Sequence, residues 1–321
     1  MLFEASVVPG TPGTGSRPGW SKMVHQVRVR VRWAGRLAVA VAVLVSGTGL
    51  CRAQGLTVSH QARAVAPGEI LLVTISGPDP IEAVDAIAFG RPAAAFPGDT
   101  PAIWHLLAGI DLDTAPGPQD VSIGVRIHGE RVQLVHRIVV VPKRFGARRL
   151  TVDARFVTPP AAVVGRIDRE QKRLVELLAV VSAQRLWRGP FVAPVDGLPA
   201  FNFGQRSVFN GQPRGSHRGA DFASPAGAPV SAPGAGRIVL SEDLYYTGNT
   251  VLIDHGLGLF SLLAHLSHTD VRTGDLVDRG TRVGAVGATG RATGPHLHWT
   301  LRWGSAAVDP LSLLALKGMP E

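Results

Sequence analysis

The sequence has almost no cysteine. Cys51 is the only one among 321 residues, and Leu50 directly before it is a poor match to a lipoprotein cleavage box. We therefore expect Cys51 to be removed with an N-terminal leader and not to be lipidated. A mature chain without cysteine has no disulfide framework and no thiol chemistry, which excludes the disulfide scaffolds and the cysteine-dependent enzymes.

Long hydrophobic runs are also missing. The most apolar segment, Leu37–Val45, has nine residues, and with its flanking glycines it still falls short of the roughly 20 residues that a membrane-spanning helix needs. It is preceded by Arg28, Arg30, Arg32 and Arg36, and a short segment that ends in Ala53 follows it. This order predicts that residues 1–53 are a disordered start plus a signal peptide, cleaved near Ala53. We expect an exported chain with no stable membrane span after cleavage; Met1 and Met23 are both candidate starts.

The net charge of +9 is concentrated in this leader. Residues 1–53 contain seven lysines and arginines and one acid, which leaves 26 basic and 23 acidic residues in the rest of the chain. The mature protein is therefore only mildly basic, and we predict no nucleic-acid partner. A mildly cationic surface suits an anionic polymer.

Long helical periods are scarce, and 38 glycines and 24 prolines favour strands and turns. Short apolar runs between turn residues predict a small antiparallel β-sandwich over residues 54–145. Residues 146–190 are predicted to be a linker and one helix that braces the two domains. The basic stretch Pro142–Arg149, which overlaps the start of this linker, is predicted to be a solvated connector. The helix is expected to begin at an Asp168 cap and to end near Gln184. Its apolar stripe would consist of Leu174, Leu177, Leu178 and Val181.

The β pattern returns over residues 191–316 and predicts a second domain built on an antiparallel sheet. Its most regular part follows Gly294-Pro295 and alternates strictly. One face would present His296, His298, Thr300 and Arg302, and the other Leu297, Trp299, Leu301 and Trp303. This is typical of a half-buried strand, and it places two imidazoles on one polar face.

Two further polar residues, His217 and Asp221, have the spacing of metal ligands. Glycine and proline on both sides argue against a helix here, so we expect an extended segment. His217, Asp221 and His298 would then supply two nitrogens and one oxygen, with a fourth tetrahedral position left for water. Such an open site is the catalytic type for Zn²⁺.

The chain has no HExxH motif that could supply a glutamate base. A metal-dependent hydrolase still needs groups that take the proton of the attacking water and stabilise the oxyanion. Two histidines remain for these tasks: His296, on the same face as His298, and His265, in the strand Ser261–Ser267. We assign the roles of general base and electrophile to this pair, and either histidine can be the base.

These spaced motifs together resemble the M23 zinc metallopeptidases, the lysostaphin/LytM-type family. The resemblance covers essentially residues 191–314, and it rests on the motifs His217-x-x-x-Asp221, Ala264-His265-Leu266, Thr293-Gly-Pro-His-Leu-His298 and Val308-Asp-Pro310. It implies that one zinc ion is bound by His217, Asp221 and His298, and that His265 and His296 are catalytic. Leu263 departs from the family pattern, in which many members have tyrosine; we expect an effect on substrate contacts or on packing and no loss of metal.

By the same resemblance, the chain is expected to be an exported zinc metalloendopeptidase that hydrolyses peptide bonds in the stems or cross-links of peptidoglycan, its main partner. Three bond classes are compatible with the sequence: D-Ala to a diamino acid, a glycine bridge, or a stem bond. The location implied is the periplasm or cell envelope. The sequence names no cell-division or wall-synthesis protein as a partner.

Two rival functions belong to other classes. A non-catalytic activator of a separate cell-wall amidase uses the same fold, but such relatives usually lack ligands, whereas this chain has all five residues. A wall-binding adhesin with a structural metal would need only three of them. A further hypothesis gives the N-terminal half an inhibitory role, because a whole domain precedes the peptidase.

Overall fold

The computed structural model describes residues 55–321. The predicted signal peptide, its cleavage near Ala53 and the removal of Cys51 lie outside these residues. Within them, the structure contains no helix that is both long and apolar enough to cross a membrane. The mainly β fold predicted from the sequence is confirmed.

The N-terminal half is one antiparallel sheet of seven strands, in the order β1-β2-β5-β4-β3-β6-β7. The strands are β1 (Thr57–Gln61), β2 (Ile70–Ser76), β3 (Ala83–Ala88), β4 (Arg91–Pro97), β5 (Ile103–Gly109), β6 (Gly117–Ile127) and β7 (Glu130–Val140). The two end strands approach each other, since His60 Nδ1 lies 2.8 Å from His136 Nε2. The sheet therefore folds back on itself around buried side chains such as Ile75 and Ile123.

Strands β3 and β4 lack the short apolar runs from which the N-terminal sandwich is predicted. Their segments, Ala83–Ala88 and Arg91–Pro97, contain mainly alanine, proline and charged residues. These residue types have low strand propensity, so local pattern does not mark them as strands. The pairing of β3 with β6 and of β4 with β5 places them in the sheet.

The helix α1 (Ala161–Ala179) begins earlier and ends earlier than predicted. Its N-cap is Pro160, which makes no side-chain cap hydrogen bond, so the predicted Asp168 cap was wrong. Proline is tolerated there because the first N–H groups of a helix have no intrahelical partner. The predicted apolar stripe is confirmed for Leu174, Leu177 and Leu178, since they pack on a buried cluster that includes Leu240 and Phe260. Val181 lies beyond the helix and is exposed.

The C-terminal half is a ten-stranded sheet that follows the path β17-β14-β15-β16-β19-β12-β9, with β13, β18 and β20 paired beside it. The elements are β9 (Leu198–Pro199), β12 (Ala220–Ala223), β13 (Pro229–Ser231), β14 (Gly236–Leu244), β15 (Gly248–Gly256), β16 (Leu259–Thr269), β17 (Leu276–Val277), β18 (Arg282–Val286), β19 (Leu297–Trp303), β20 (Ala306–Val308) and a short helix α2 (Pro310–Leu314). Its long central strands are buried on both faces.

A separate three-stranded sheet connects the two halves. It consists of β8 (Ala147–Leu150), β10 (Arg206–Phe209) and β11 (Gln212–Ser216), and β8 runs parallel to β10. The basic stretch that the sequence suggested as a solvated connector therefore ends in a strand. The domain boundaries predicted at residues 145 and 190 stay predictions.

The two halves share both apolar and ionic contacts. Trp187 packs edge-on against Phe96 of the N-terminal sheet, with ring centroids 5.1 Å apart. Glu69, which is 1% exposed, binds Arg63 through both carboxylate oxygens, at 2.7 and 3.0 Å. Arg63 also bonds to Asp309 at 2.7 Å. Burial lowers the pKa of Arg63, but the hydrogen bonds to Glu69 and Asp309 outweigh burial and raise it above its ordinary value.

Arg63→Ala is expected to destabilise the protein markedly. The change leaves the buried carboxylate of Asp309 without this cation, and loss of one partner from a buried ion pair costs about 3–5 kcal/mol. The free energy of unfolding in urea should fall by about 2–4 kcal/mol, since Arg63 is partly exposed and Lys143 still binds Glu69 at 2.7 Å. Arg131→Ala, which breaks an exposed pair with Asp85, is the control and should cost about 1 kcal/mol or less. Equal losses in the two variants would contradict a stabilising role for the buried cluster.

Candidate metal centre

Asp221 and His298 lie side by side because their strands pair in register. β12 runs antiparallel to β19, with Asp221 opposite His298. Along β19, buried residues alternate with half-buried ones, so Leu297 and Trp299 lie in the core while His298 lies on the other face. This confirms the half-buried strand predicted from the sequence.

His217 reaches the same point from the short segment between β11 and β12. Residues 217–219 are neither helix nor strand, and the ring of His217 lies with its centroid 4.8 Å from that of His298. Gly219 makes this approach possible: a Cβ there would lie 2.7 Å from His298 Nε2 and 2.5 Å from the carbonyl oxygen of Trp299. Any other residue would have to move the His298 ring or its strand.

The three predicted ligands form a compact triangle of donor atoms. His217 Nε2 is 3.0 Å from His298 Nδ1 and 3.1 Å from Asp221 Oδ1, and the latter two atoms are 2.8 Å apart. Four-coordinate zinc has bonds of about 2.0–2.1 Å, which separate neighbouring tetrahedral ligand atoms by about 3.3 Å. The observed spacing and the N, N, O donor set therefore fit one zinc ion. Among the described residues, this is the one group of three or more metal-binding side chains close enough to share an ion.

Hydrogen bonds from neighbouring residues orient the three predicted ligands. The main-chain oxygen of Asn202 accepts from His217 Nδ1 at 3.2 Å, which directs Nε2 into the triangle. The side-chain amide of Asn202 donates to Asp221 Oδ2 at 2.7 Å, so Oδ1 faces the histidines. His298 Nε2 lies 2.9 Å from Thr300 Oγ1, which leaves Nδ1 as its donor atom. Hydrogen bonds of this kind fix ligand orientation and tautomer in metal sites.

Arg148, from strand β8, adds a contact from outside the C-terminal half. Its Nη1 donates to Asp221 Oδ2 at 3.1 Å, and its Nε donates to Ser207 Oγ at 3.1 Å. The guanidinium thus holds the same carboxylate oxygen as Asn202. Sequence analysis missed both residues, because the contact of Arg148 depends on the long-range pairing of β8 with β10, which no local pattern indicates.

Burial and hydrogen bonding set the charges that a cation would meet. Burial would raise the pKa of Asp221, but hydrogen bonds from His217 and His298 outweigh it and hold the pKa far below its ordinary range. Burial lowers the pKa of His217 to about 4 despite its bond to Asp221. At neutral pH the site therefore presents an ionised carboxylate and a neutral His217 imidazole, the forms that bind a metal ion.

His265 and His296 flank the triangle. The ring of His265 lies with its centroid 4.9 Å from that of His296 and 5.8 Å from that of His298. His296 Nε2 is 3.8 Å from Asp221 Oδ1. In each ring Nδ1 is bound to a backbone carbonyl, that of Thr289 for His265 at 2.9 Å and that of Gly294 for His296 at 2.8 Å. Both Nδ1 atoms must then carry a proton, so Nε2 is the atom with the lone pair in the neutral form of each ring.

The backbone of His265 is strained in a way that aims its side chain. Its φ is 64°, in the left-handed region, although it is not glycine. The register between β15 and β16 shifts at this point, and His265 N donates to the carbonyl oxygen of Thr247 at 2.8 Å. A bulge with such a conformation re-aims one side chain out of the strand alternation, and residues of this kind concentrate at functional sites.

All five predicted site residues line one open cavity of about 590 Å³. The structure therefore brings together His217, Asp221, His265, His296 and His298, and their individual roles remain predictions. Leu263 is fully buried opposite Trp299. The departure from the family pattern at this position thus concerns packing and not a wall of the cavity. Tyr246 and Arg291 also line the cavity, and sequence analysis missed both.

Comparison with known proteins agrees with these observations. Residues 215–310 match the sequence profile of peptidase family M23. The chain is 47% identical over 85 residues to the peptidoglycan DD-endopeptidase ShyA of Vibrio cholerae serotype O1, which is 26% of this chain and 20% of that protein. It is 42% identical over 97 residues to the DD-carboxypeptidase/endopeptidase Mpg of Neisseria meningitidis serogroup B, 30% of this chain and 22% of that protein. The chain thus spans about a fifth of the length of these curated relatives.

One solved structure is similar over most of the chain. It is a putative peptidase M23 from Pseudomonas aeruginosa, 33% identical, with a TM-score of 0.61. The similarity covers 78% of this chain and 95% of that one, so it includes the N-terminal half as well as the metal centre. Taken together, these similarities show that the chain belongs to peptidase family M23.

Proposed function

We propose that this chain is a zinc metalloendopeptidase that hydrolyses peptide bonds in peptidoglycan and acts in the cell envelope after export. The observation that supports this best is the triangle of His217, Asp221 and His298 donor atoms, with two further imidazoles on the same cavity. A structural metal site would not need His265 and His296. The names of the relatives support peptidoglycan as the substrate class.

In the proposed mechanism, His217 Nε2, Asp221 Oδ1 and His298 Nδ1 would hold the zinc ion. Bound zinc supplies Lewis acidity and lowers the pKa of water to about 7. A substrate peptide lies in the open cavity, beside the lone pairs of His265 Nε2 and His296 Nε2. One of these imidazoles accepts the proton of the attacking water. This imidazole would then give that proton from Nε2 to the leaving amine as the peptide C–N bond breaks. The second imidazole, entering the reaction with a solvent proton on Nε2, would donate a hydrogen bond to the oxyanion.

Loss of a ligand should abolish metal binding and hydrolysis together. His217→Ala and Asp221→Ala each remove one of three donor atoms, so zinc content measured by mass spectrometry should fall from one per chain to near zero. Release of muropeptides from purified sacculi should fall to background. His128→Ala, at an exposed histidine of the N-terminal sheet, is the matched control and should keep both. Full hydrolysis by the ligand variants would refute the zinc mechanism.

Changes at the catalytic pair should separate metal binding from the chemical step. His265→Asn and His296→Asn leave the three ligands intact, so the zinc content should stay at one per chain. Loss of a general acid–base group lowers kcat by about 10²–10⁴-fold. The double variant should be little slower than the slower single variant, because residues that act as a unit have non-additive effects. Unchanged kcat in both single variants would remove them from the mechanism.

Arg148 is expected to strengthen zinc binding from strand β8. Its bond to Asp221 Oδ2 fixes the ligand orientation, and loss of such an outer contact typically costs 10–100-fold in metal affinity. Arg148→Met should therefore raise the zinc Kd, measured by chelator competition, by about that factor. Arg149→Met is the matched control, since the neighbouring Arg149 is exposed, and its Kd should equal that of the unmodified chain. Equal Kd values in both variants would show that Arg148 does not support the ligand.

A further inference from the structure

Arg291 occupies the same cavity as the metal centre. It lies on the loop between β18 and β19, five residues before His296 in the chain, and its backbone N–H donates to the carbonyl oxygen of Tyr246 at 2.8 Å. The residues that follow it on this loop, from Ala292 to Pro295, also line the cavity. The side chain is half-buried, so it belongs to the wall of the site and not to the outer surface.

Two aromatic rings hold its guanidinium. The central carbon of Arg291 lies 4.8 Å from the ring centroid of Phe209 and 4.7 Å from that of Tyr246. Both distances are within the range of a cation–π contact, which acts on the face of a guanidinium and leaves its N–H edges free. Phe209 is itself buried. The clamp therefore fixes the position of the cation without using its hydrogen-bond donors.

Those donors have no acceptor in the part of the chain that the structure describes. No hydrogen bond or ion pair joins the Arg291 guanidinium to any of residues 55–321, whereas Arg148, in the same cavity, binds Asp221 and Ser207. The surroundings are also positive. Burial lowers the pKa of Arg291; Tyr246 opposes this, and the nearby cations Arg148 and Arg214 add to the lowering. A half-buried cation in this environment is stabilised by an anion that enters the cavity.

We infer that Arg291 binds a free carboxylate of the peptide substrate, close to the scissile bond, and so makes the site prefer substrates that carry this group. The planar guanidinium matches a carboxylate through two parallel N–H···O bonds. This inference rests on the proposed peptidase function and narrows its substrate. Of the three bond classes compatible with the sequence, a bond to the side-chain amine of a diamino acid with two carboxyl groups offers a free carboxylate beside the cleaved bond, while a glycine bridge offers none.

The test compares two cross-linked peptides that differ in one group. In the first, the diamino acid at the cleaved bond has a free carboxylate; in the second, the same position is a carboxamide. The zinc-loaded full chain should cleave the carboxylate substrate with a kcat/KM about 10–100-fold higher, the range expected for charge-assisted hydrogen bonds. In Arg291→Gln this ratio should fall close to one. Arg291→Lys keeps the charge without the planar fork and should give an intermediate ratio.

Arg237→Gln is the matched control. Arg237 is exposed and bonds the carbonyl oxygen of Gly274, away from the cavity, so it should keep the ratio of the unmodified chain. Zinc content is measured for every variant and should be one per chain, because Arg291 contacts none of the three ligands.

The outcomes separate the inference from the proposed function. Equal cleavage of both peptides by the unmodified chain would overturn the role of Arg291 while the peptidase function stands. The same holds if Arg291→Gln and Arg291→Lys slow both substrates equally, which would make Arg291 a structural residue. Failure of the unmodified, zinc-loaded chain to cleave either peptide or sacculi would instead refute the proposed function.

Discussion

The antiparallel pairing of β12 with β19 is the constraint on which the metal centre depends. It places the Asp221 carboxylate opposite His298, at the 2.8 Å separation found between their donor atoms. A shift of one residue in this register would turn one of the two side chains to the other face of the sheet. The buried row on the opposite side of β19, with Trp299 and Leu301 fully inaccessible, opposes such a shift because it would expose a large apolar area. The packing of the core therefore also sets the geometry of the ligands.

The sequence predicted the parts of the structure that depend on local periodicity. The alternation after Gly294-Pro295 predicted β19 and its polar face, since a period of two is specific to strands. The helix start was predicted less well. A cap at Asp168 was expected, but the helix extends back to Pro160, a residue type that is tolerated at a helix start. Strands β3 and β4 are held by their neighbours in the sheet and not by their own residue preferences.

Residues that join the site through long-range contacts were beyond sequence analysis. Arg148 belongs to a basic stretch that looks solvated in the sequence, and its ion pair with Asp221 exists only because β8 pairs with β10. Arg291 likewise acquires its position from Phe209 and Tyr246, which lie far from it in the chain. The predicted metal ligands have a clearer signal in the sequence, because histidine and aspartate at short spacing are typical zinc ligands. The aromatic and cationic walls of the cavity have no comparable local pattern.

Because of the parallel strand β8, residues from outside the C-terminal half also line the cavity of the candidate metal centre. Arg148 and Leu150 line the cavity, while Ala147, before them, and Arg149, between them, are exposed. Residues 141–146 connect the end of β7 to this strand, and their number decides which of the alternating side chains faces the metal ligands. The connector therefore acts as a spacer of fixed length, and insertion or deletion of one residue would change which side chains face the cavity. A change in the length of a surface segment would in this way reach the active site without altering any residue in it.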